Sequence, residues 1–158
     1  MGRLLRHASR EWYHGTTLER LDRIIAAGEL SPGLADAIWN NTSQDQVFFC
    51  FYEQRAEMYC EHAWQHDGSH PDNYWVVLTC ELNDDVLQPD KDDCPDCETW
   101  QQSVQEIEQV AVRGPVSINA ISTLTIYFPE LFIPLVTCTI SEYQDHRDAV
   151  LSEAAAAY

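Results

Sequence analysis

Tyr13-His14-Gly15-Thr16 ends a short apolar stretch and precedes an amphipathic one, so it marks the change from a predicted strand to a predicted helix. The pattern predicts a strand over 11–14 that becomes a loop at the His14-Gly15 step. Glycine lets a ligand approach the main chain closely because it carries no Cβ, and an imidazole donates or accepts a hydrogen bond at neutral pH. The pair suits a small polar ligand, such as an amide-bearing ring with an attached ribose. A histidine satisfied within a turn is the plainer alternative.

The residues after this motif predict a helix. Thr16 or Thr17 can cap its N-terminus, and Gly28 can end it in a left-handed conformation. The spacing of the apolar residues places Arg20 and Arg23 on the side that we expect to face solvent.

Beyond residue 46 the chain is rich in strand patterns. Strands are predicted over 47–51, 74–82, 107–112, 116–128 and 131–140, helices over 52–65 and 145–156, and an acidic loop over 83–99. Pro134 indicates an edge strand or a bulge. This order of elements favours an α+β fold over a doubly wound α/β fold. A length of 158 residues favours a single domain over 1–158.

The chain is strongly acidic. Its 26 Asp and Glu residues against 9 Lys and Arg residues give a formal net charge of −17. Such a charge repels nucleic-acid phosphates, which are bound by clustered Lys and Arg, so it favours a basic partner protein, or mimicry of nucleic acid, over binding to nucleic acid. Solubility alone is the plainer explanation of the acidic residues.

The composition indicates a folded protein without a membrane partner. At 45% apolar residues the chain can bury a core, and no stretch is apolar for long enough to span a membrane. Residues 1–10 are basic and lack an apolar signal segment. We expect a cytoplasmic location, or delivery into a target cell without a signal peptide, and the oligomeric state stays open.

Six cysteines divide into two kinds. Three lie in apolar strand-like runs and are expected to be small buried hydrophobes: Cys50, Cys80 and Cys138. Cys94 and Cys97 form a CxxC, which we expect to be a reduced, exposed loop without metal. A structural zinc site completed by Cys60 and His62 is the less favoured alternative, because helical residues two apart point to different faces.

Two further segments carry side chains suited to a site with His14 and Gly15. Tyr59 follows Phe48 by eleven residues, so it lies on the predicted helix after a strand, and the two rings could sandwich a flat heterocycle. Glu106 and Glu108 are two apart on a predicted strand, so both carboxylates are expected to share one face and point into one cleft. Taken singly, the aromatic residues are most often core, and such a Glu pair is most often solvated.

The order and spacing of these segments resemble the ADP-ribosyltransferase superfamily, in particular its diphtheria-toxin and poly(ADP-ribose) polymerase branch. The first motif is a His-Gly pair on the first strand, which diphtheria-type toxins write as Tyr-His-Gly-Thr, as in Tyr13-His14-Gly15-Thr16. The second is an apolar-Tyr-Phe strand and then a helix with Ala and Tyr three apart, matched by Val47-Phe48-Phe49 followed by Ala56 and Tyr59. The third is a Glu before alternating β-branched residues, matched by Glu108-Gln109-Val110-Ala111-Val112. The family's second-strand Tyr is Phe48 here, which can stack on nicotinamide but donates no hydrogen bond.

The resemblance implies an ADP-ribosyltransferase-like split β-sheet core with flanking helices. It implies a mono-ADP-ribosyltransferase that transfers ADP-ribose from its co-substrate NAD to a macromolecular acceptor and releases nicotinamide. The implied NAD-binding residues come from the first two motifs: Tyr13, His14, Gly15, Thr16, Phe48 and Tyr59. The implied catalytic residues are Glu108 beside the charge that develops on the ribose, His14 on a ribose hydroxyl, and Glu106, which helps to choose the acceptor.

Two other functions stay open. DNA-modifying relatives in the superfamily suggest a nucleic-acid-directed ADP-ribosyltransferase or an NAD hydrolase toxin, with a small basic strip near Arg10 and Arg113. Phe48 and the acidic loop instead favour a catalytically degenerate module that binds and blocks a basic partner. In each case we expect the acceptor or partner to be selected by the loops at 31–43 and 83–99.

Overall fold

The computed structural model describes residues 9–32 and 45–157 of the chain. The strands are β1 (Ser9–Thr17), β2 (Glu29–Leu30), β3 (Gln46–Cys50), β4 (Trp75–Asn83), β5 (Leu87–Gln88), β6 (Gln109–Arg113), β7 (Val116–Ser117), β8 (Ile121–Phe128) and β9 (Ile133–Cys138). The α-helices are α1 (Leu18–Ala27), α2 (Ala56–His66), α3 (Trp100–Ile107), α4 (Ile140–Asp145) and α5 (Arg147–Ala156). Short 3-10 turns lie at Glu53–Arg55, Asp84–Val86 and Ile118–Ala120.

Seven strands form one sheet in the order β5-β6-β3-β1-β4-β8-β9, and β2 pairs with β7 in a small second sheet. The described strand pairs of both sheets are antiparallel. The α+β class predicted from the sequence is therefore confirmed. β9 lies at an edge of the sheet, as Pro134 indicated, and its register with β8 shifts beside that proline.

The side chains of β1 alternate between two cores. Trp12 packs into the larger core with Leu21 of α1 and Phe49 of β3. Gly15 lies against α2, on the side of the smaller core around Cys60. Burial of a large apolar side chain contributes about 1.5–3 kcal/mol, so β1 is held from both faces at the centre of the sheet.

Helix α1 has the ends that the sequence predicted. The Thr17 hydroxyl accepts a hydrogen bond from the Arg20 N–H at 3.5 Å, and Gly28 follows the helix with a φ of 79°. Arg23 is exposed, as expected, but the prediction that Arg20 faces solvent is wrong. Arg20 is buried, and its Nε lies 2.7 Å from Oδ2 of Asp67. The carboxylate is 47 residues further along the chain, which is why local spacing did not reveal the pair.

Several element boundaries differ from the predicted ones. β1 continues through Thr17 directly into α1, so the His14-Gly15 step lies within a strand and not at a loop. The polar segment after Thr99 forms α3, the terminal helix predicted over 145–156 is found as α5, and the additional helix α4 precedes it. The predicted loop at 31–43 lies outside the described residues from position 33 onward.

The cysteines lie where expected except for one pair. The three strand cysteines are buried: Cys50, Cys80 and Cys138. Cys94 and Cys97 form a disulfide, which corrects the expectation of a reduced loop. Within residues 9–32 and 45–157 no group of His, Cys, Asp and Glu is arranged to hold a metal ion. In the same part of the chain, no helix has the length and apolar character needed to cross a membrane.

Candidate functional site

The two edges of β1 are paired very differently. Along β4 the ladder runs from Ser9–Asn83 to Thr17–Trp75, which covers every residue of β1. Along β3 the described pairing is confined to Tyr13–Cys50. The sheet is therefore continuous on one side of β1 and interrupted on the other.

The direction of the Gly15 peptide groups follows from this ladder. In an antiparallel pair, successive residues alternate between hydrogen bonding to the partner strand and pointing away from it. The Leu18 N–H donates to the Tyr74 carbonyl at 2.8 Å, which continues the ladder by one residue. Residues an even number of positions before Leu18, such as His14, therefore direct their N–H and C=O groups towards β4. Gly15 points its N–H and C=O towards β3, into the interruption.

His14 fills part of this interruption with its side chain. If the β1–β3 ladder continued past Tyr13–Cys50, Gly15 would lie opposite Phe48. The Phe48 carbonyl instead accepts a hydrogen bond from Nδ1 of His14 at 2.9 Å. Because a carbonyl cannot donate, Nδ1 carries the hydrogen and the neutral ring presents Nε2 as an acceptor.

Three buried polar side-chain atoms on the His14 side of β1 have no partner in the described structure, and one of them is Nε1 of Trp12. Nε2 of His14 and Oγ1 of Thr16 are both buried and both unpaired. An unpaired buried polar group costs about 1–3 kcal/mol, so each of these atoms is a candidate hydrogen-bond partner for a bound molecule or a water. His14 is only 3% exposed, and access to Nε2 requires local opening.

Gly15 is required by the fold as well as suited to a ligand. A Cβ built at Gly15 would overlap the carbonyl oxygen of Ala56 and lie 3.1 Å from the Cys60 nitrogen. The bare side of this glycine, which the sequence assigned to a ligand, is thus occupied by the α2 backbone. Only the edge of the Gly15 peptide, directed at β3, is left for a ligand.

Phe48 and Tyr59 lie on the Gly15 side of the sheet. Residues two apart on a strand share a face, so Phe48 shares the face of Cys50, which belongs to the smaller core. Tyr59 of α2 packs against the same core, and it is half-buried. The structure brings these two residues to one side of the interruption, whereas the His14 ring lies on the other, 5.6 Å from the ring of Phe49.

The predicted strand over 107–112 forms only from Gln109 onward, as β6, so it carries neither glutamate. Glu106 lies in α3, and Glu108 follows that helix as its cap, with β6 beginning only at the next residue. The expectation that Glu106 and Glu108 share a strand face is therefore wrong. Both side chains are exposed. The third motif thus brings Glu108 to the start of β6, while Glu106 belongs to the surface of a helix.

Glu108 has a backbone conformation that is unusual for its residue type. Its φ is 58° and its ψ is 28°, a left-handed conformation that normally belongs to glycine at helix ends. For other residues this conformation costs about 1–2 kcal/mol. The Glu108 N–H donates to Val104 at 2.9 Å, and the Glu108 carbonyl accepts from the Phe51 N–H at 2.8 Å. These bonds fix Glu108 beside the end of β3.

A second carboxylate on the Gly15 side was missed by the sequence analysis. The hydroxyl of Tyr127 donates to the carboxylate of Glu53, and the ring of Phe132 stacks on Tyr127 with a centroid distance of 4.0 Å. Burial first, and then the charges of Glu11 and Glu53, raise the pKa of Tyr13. The Gly15 side therefore presents the phenol of Tyr127 bonded to Glu53, with the phenol of Tyr13 close to Glu11 and Glu53. No local motif marks this group, since Glu53 and Tyr127 lie 74 residues apart in the chain.

A buried polar network behind Glu108 was also missed. The Gln109 amide nitrogen donates to Asp90 at 3.0 Å and to Asp93 at 3.2 Å. Ser103 of α3 donates to the Gln109 carbonyl at 2.6 Å and accepts from the Asp90 N–H at 3.0 Å. Burial is the main cause that raises the pKa of Asp90 to about 6. The available signal was a glutamine at the first position of an otherwise apolar strand.

Neither a protein-family model nor a curated protein matches this chain in sequence comparisons. The arguments for function therefore come from the motifs and from the geometry around β1.

Proposed function

We propose that this protein is a mono-ADP-ribosyltransferase that transfers ADP-ribose from NAD to a protein acceptor and releases nicotinamide. The observation that carries the proposal is the interruption of the sheet at Gly15, where, among the described residues, β3 forms no pair with β1 beyond Tyr13–Cys50. A sheet split at the strand that carries the His-Gly pair is what the resemblance to the superfamily implies.

The edge of Gly15 is complementary to a primary carboxamide. A carboxamide has an N–H donor and a carbonyl acceptor side by side, and a strand residue offers the reverse pair. Nicotinamide can therefore bind Gly15 much as a neighbouring strand would, through two hydrogen bonds. This supports a site for the nicotinamide end of NAD at the interruption.

The orphan atoms next to Gly15 suit a ribose. The acceptor Nε2 of His14 can take a hydrogen bond from a ribose hydroxyl, and the Thr16 hydroxyl can donate or accept. Both atoms are buried, so NAD reaches them as the His14–Phe48 hydrogen bond opens and the two strands separate. Binding would then satisfy two polar groups that the free protein leaves unpaired.

Phe48 and Tyr59 can hold the nicotinamide ring between them. They lie on one side of the interruption, and stacking on an aromatic face needs no hydroxyl group. Phe48 lacks the hydroxyl of the family's tyrosine, so the ring is held here by stacking and by the Gly15 edge alone.

Glu108 supplies the catalytic carboxylate. As the bond between the ribose C1′ and the nicotinamide nitrogen breaks, nicotinamide leaves with the bonding electron pair and the ribose becomes positively charged. A carboxylate fixed beside that charge stabilises it electrostatically. The acceptor nucleophile then forms the new bond to C1′, and its proton passes to the Glu108 carboxylate. A glutamate kept in a strained conformation is typical of a position selected for its chemistry.

Charge favours a protein over a nucleic acid as the acceptor. The two arginines of the suggested basic strip each contact an acid: Arg10 with Asp84 at 3.6 Å and Arg113 with Asp45 at 3.4 Å. Arg10 also stacks over the Trp100 ring at 5.2 Å. Residues held in this way, in a chain of net charge −17, give little attraction to a phosphate backbone.

Nicotinamide release from NAD tests the proposal. We would compare the wild type with Glu108→Ala and with Glu130→Ala. Glu130 is a matched control because it is also an exposed glutamate with a positive φ, 69°, on the turn between β8 and β9. We expect release by the wild type and by Glu130→Ala, and release slower by about a hundredfold or more for Glu108→Ala.

Wild-type protein that neither binds NAD nor releases nicotinamide would overturn the proposed function. Equal rates for the wild type and Glu108→Ala would leave the activity in place but remove Glu108 from it. Mass spectrometry of a lysate incubated with NAD and the protein would then show whether ADP-ribose is added to proteins, as expected, or to nucleic acid.

A further inference from the structure

The residue after Glu108 belongs to a buried hydrogen-bonded group of three side chains. We call this group the clamp and define it as Asp90, Ser103 and Gln109. These residues are 1%, 0% and 1% exposed, respectively. The clamp joins three separate pieces of the fold: the acidic loop, α3 and the first residue of β6. Its hydrogen bonds of 2.6 to 3.0 Å connect all three members.

The buried Asp90 carboxylate is held from two directions. Oδ1 accepts from the N–H groups of Asp92 and Asp93 at 3.1 and 3.2 Å, and Oδ2 accepts from Gln109. A buried charge is tolerated only when it is hydrogen-bonded in this way. The loop conformation and the Gln109 side chain therefore depend on each other.

The clamp fixes the peptide that joins Glu108 to β6. Ser103 holds the Gln109 carbonyl, and the Gln109 side chain is held by the acidic loop. Glu108 is the adjacent residue, in a conformation that its own backbone disfavours. Without the clamp, we expect Glu108 to relax towards a commoner conformation and its carboxylate to move.

The Cys94–Cys97 disulfide closes the acidic turn that holds Gln109. The Cys94 N–H donates to the Asp90 carbonyl at 2.9 Å, and the Cys97 N–H donates to the Cys94 carbonyl at 3.1 Å. The turn carries like charges at Asp92, Asp93 and Asp96, which repel one another. A covalent bond across the turn opposes that repulsion.

We propose that Asp90 and Gln109 are positioning residues for Glu108. We further propose that a dithiol, by reducing the Cys94–Cys97 disulfide, weakens the hydrogen bonds through which these residues position Glu108. The catalytic consequence rests on the proposed function, whereas the mechanical coupling does not. In the chemical step, a dithiol thiolate attacks one sulfur to form a mixed disulfide, and the second thiol displaces the remaining cysteine. Both cysteines end as thiols, and the dithiol ends as a cyclic disulfide, with two electrons and two protons transferred.

Hydrogen exchange of the Gln109 and Val110 amides tests the coupling without any substrate. The samples are the oxidised wild type, the wild type reduced with dithiothreitol, Gln109→Met, and the control Gln105→Met on the exposed surface of α3. We expect exchange to quicken by about tenfold or more after reduction and in Gln109→Met, with no change in Gln105→Met. Circular dichroism checks that each sample keeps its fold.

Nicotinamide release by the same four samples tests the catalytic consequence. We expect kcat to fall by about tenfold or more in the reduced protein and in Gln109→Met, with the KM for NAD unchanged, because a positioning residue acts on the step that uses Glu108. Unchanged exchange in Gln109→Met would overturn the clamp, and unchanged exchange after reduction would overturn the role of the disulfide. If the wild type does not turn over NAD, the proposed function fails, while the exchange rates still decide the coupling.

Discussion

The two edges of β1 differ in how the chain uses its peptide groups. On the β4 side, nine residues of β1 have a partner directly opposite. On the β3 side, pairing is confined to Tyr13–Cys50, and a side chain takes over the Phe48 carbonyl. Each strand hydrogen bond contributes about 0.5–1.5 kcal/mol. The β3 side therefore gives up stability that the β4 side keeps, and we propose that NAD uses the edge left there.

The strongest test of this contrast is Gly15→Ala. A Cβ at Gly15 overlaps the Ala56 carbonyl oxygen, which is backbone and cannot rotate away. We expect the free energy of unfolding to fall by about 3 kcal/mol or more in a denaturant titration. Gly28→Ala is the control, because its Cβ would meet nothing and only its φ of 79° is unfavourable, at a cost of about 1 kcal/mol. Equal losses for the two variants would mean that α2 does not pack on Gly15.

We expect the free energy of unfolding to depend on pH because of Asp90, whose carboxylate is hydrogen-bonded to the first residue of β6. The pKa of this carboxyl is raised from 3.8 to about 6 in the folded state, so the folded protein binds more protons than the unfolded chain between those values. The free energy of unfolding should therefore fall as pH rises from about 4 to about 6, by at most about 3 kcal/mol.

Asp90→Asn should remove most of that pH dependence, as measured by denaturant titrations at several pH values. Asp96→Asn is the matched control, since it removes an exposed charge from the same turn. A slope that persists unchanged in Asp90→Asn would assign the titration to another group.

His14→Phe removes the side-chain hydrogen bond that replaces strand pairing between β1 and β3. Phenylalanine has a similar ring but no Nδ1 hydrogen, so the buried Phe48 carbonyl loses its donor. We expect a loss of about 2 kcal/mol in the free energy of unfolding and weaker NAD binding by calorimetry. Unchanged NAD affinity in a folded His14→Phe protein would remove His14 from the site.

Thr16→Val should have the smallest effect on stability of these variants. It therefore tests NAD binding separately from folding. Its buried hydroxyl has no partner in the described structure, so removing it should leave the melting temperature unchanged or slightly higher. If that hydroxyl contacts the ribose, NAD affinity should fall by about fivefold, the equivalent of one hydrogen bond. A lower melting temperature with full NAD affinity would show that Thr16 serves the fold alone.

Local sequence signals predicted much of the architecture. The caps of α1, the strand patterns, the edge position of Pro134 and the burial of three cysteines all depend on near neighbours, and all are found. A local signal was also available for α3, because Thr99 and Gln102 form a capping box in which each side chain bonds the other's backbone. The strand predicted over 107–112 begins two residues before β6, and the interpretation of Glu106 and Glu108 as a strand pair placed Glu106 on the wrong element.

The parts that could not be predicted depend on contacts distant in sequence. Arg20 is buried by Asp67, and Gln109 is held by Asp90. No spacing rule links such pairs, since their meeting depends on how the elements pack. The sequence motifs nominated His14 and Gly15 as candidate site residues, but the geometry around them depends on where β3 leaves β1.

The proposed site requires that the β3-facing edge of Gly15 binds the nicotinamide end of NAD. The most direct measurement is the amide NMR shift of Gly15 during titration with NAD, with the Gly28 amide as an internal reference. We expect a saturable shift at Gly15, little change at Gly28, and competition by free nicotinamide. A Gly15 amide that stays unchanged while NAD binds elsewhere, or while NAD does not bind at all, would contradict it.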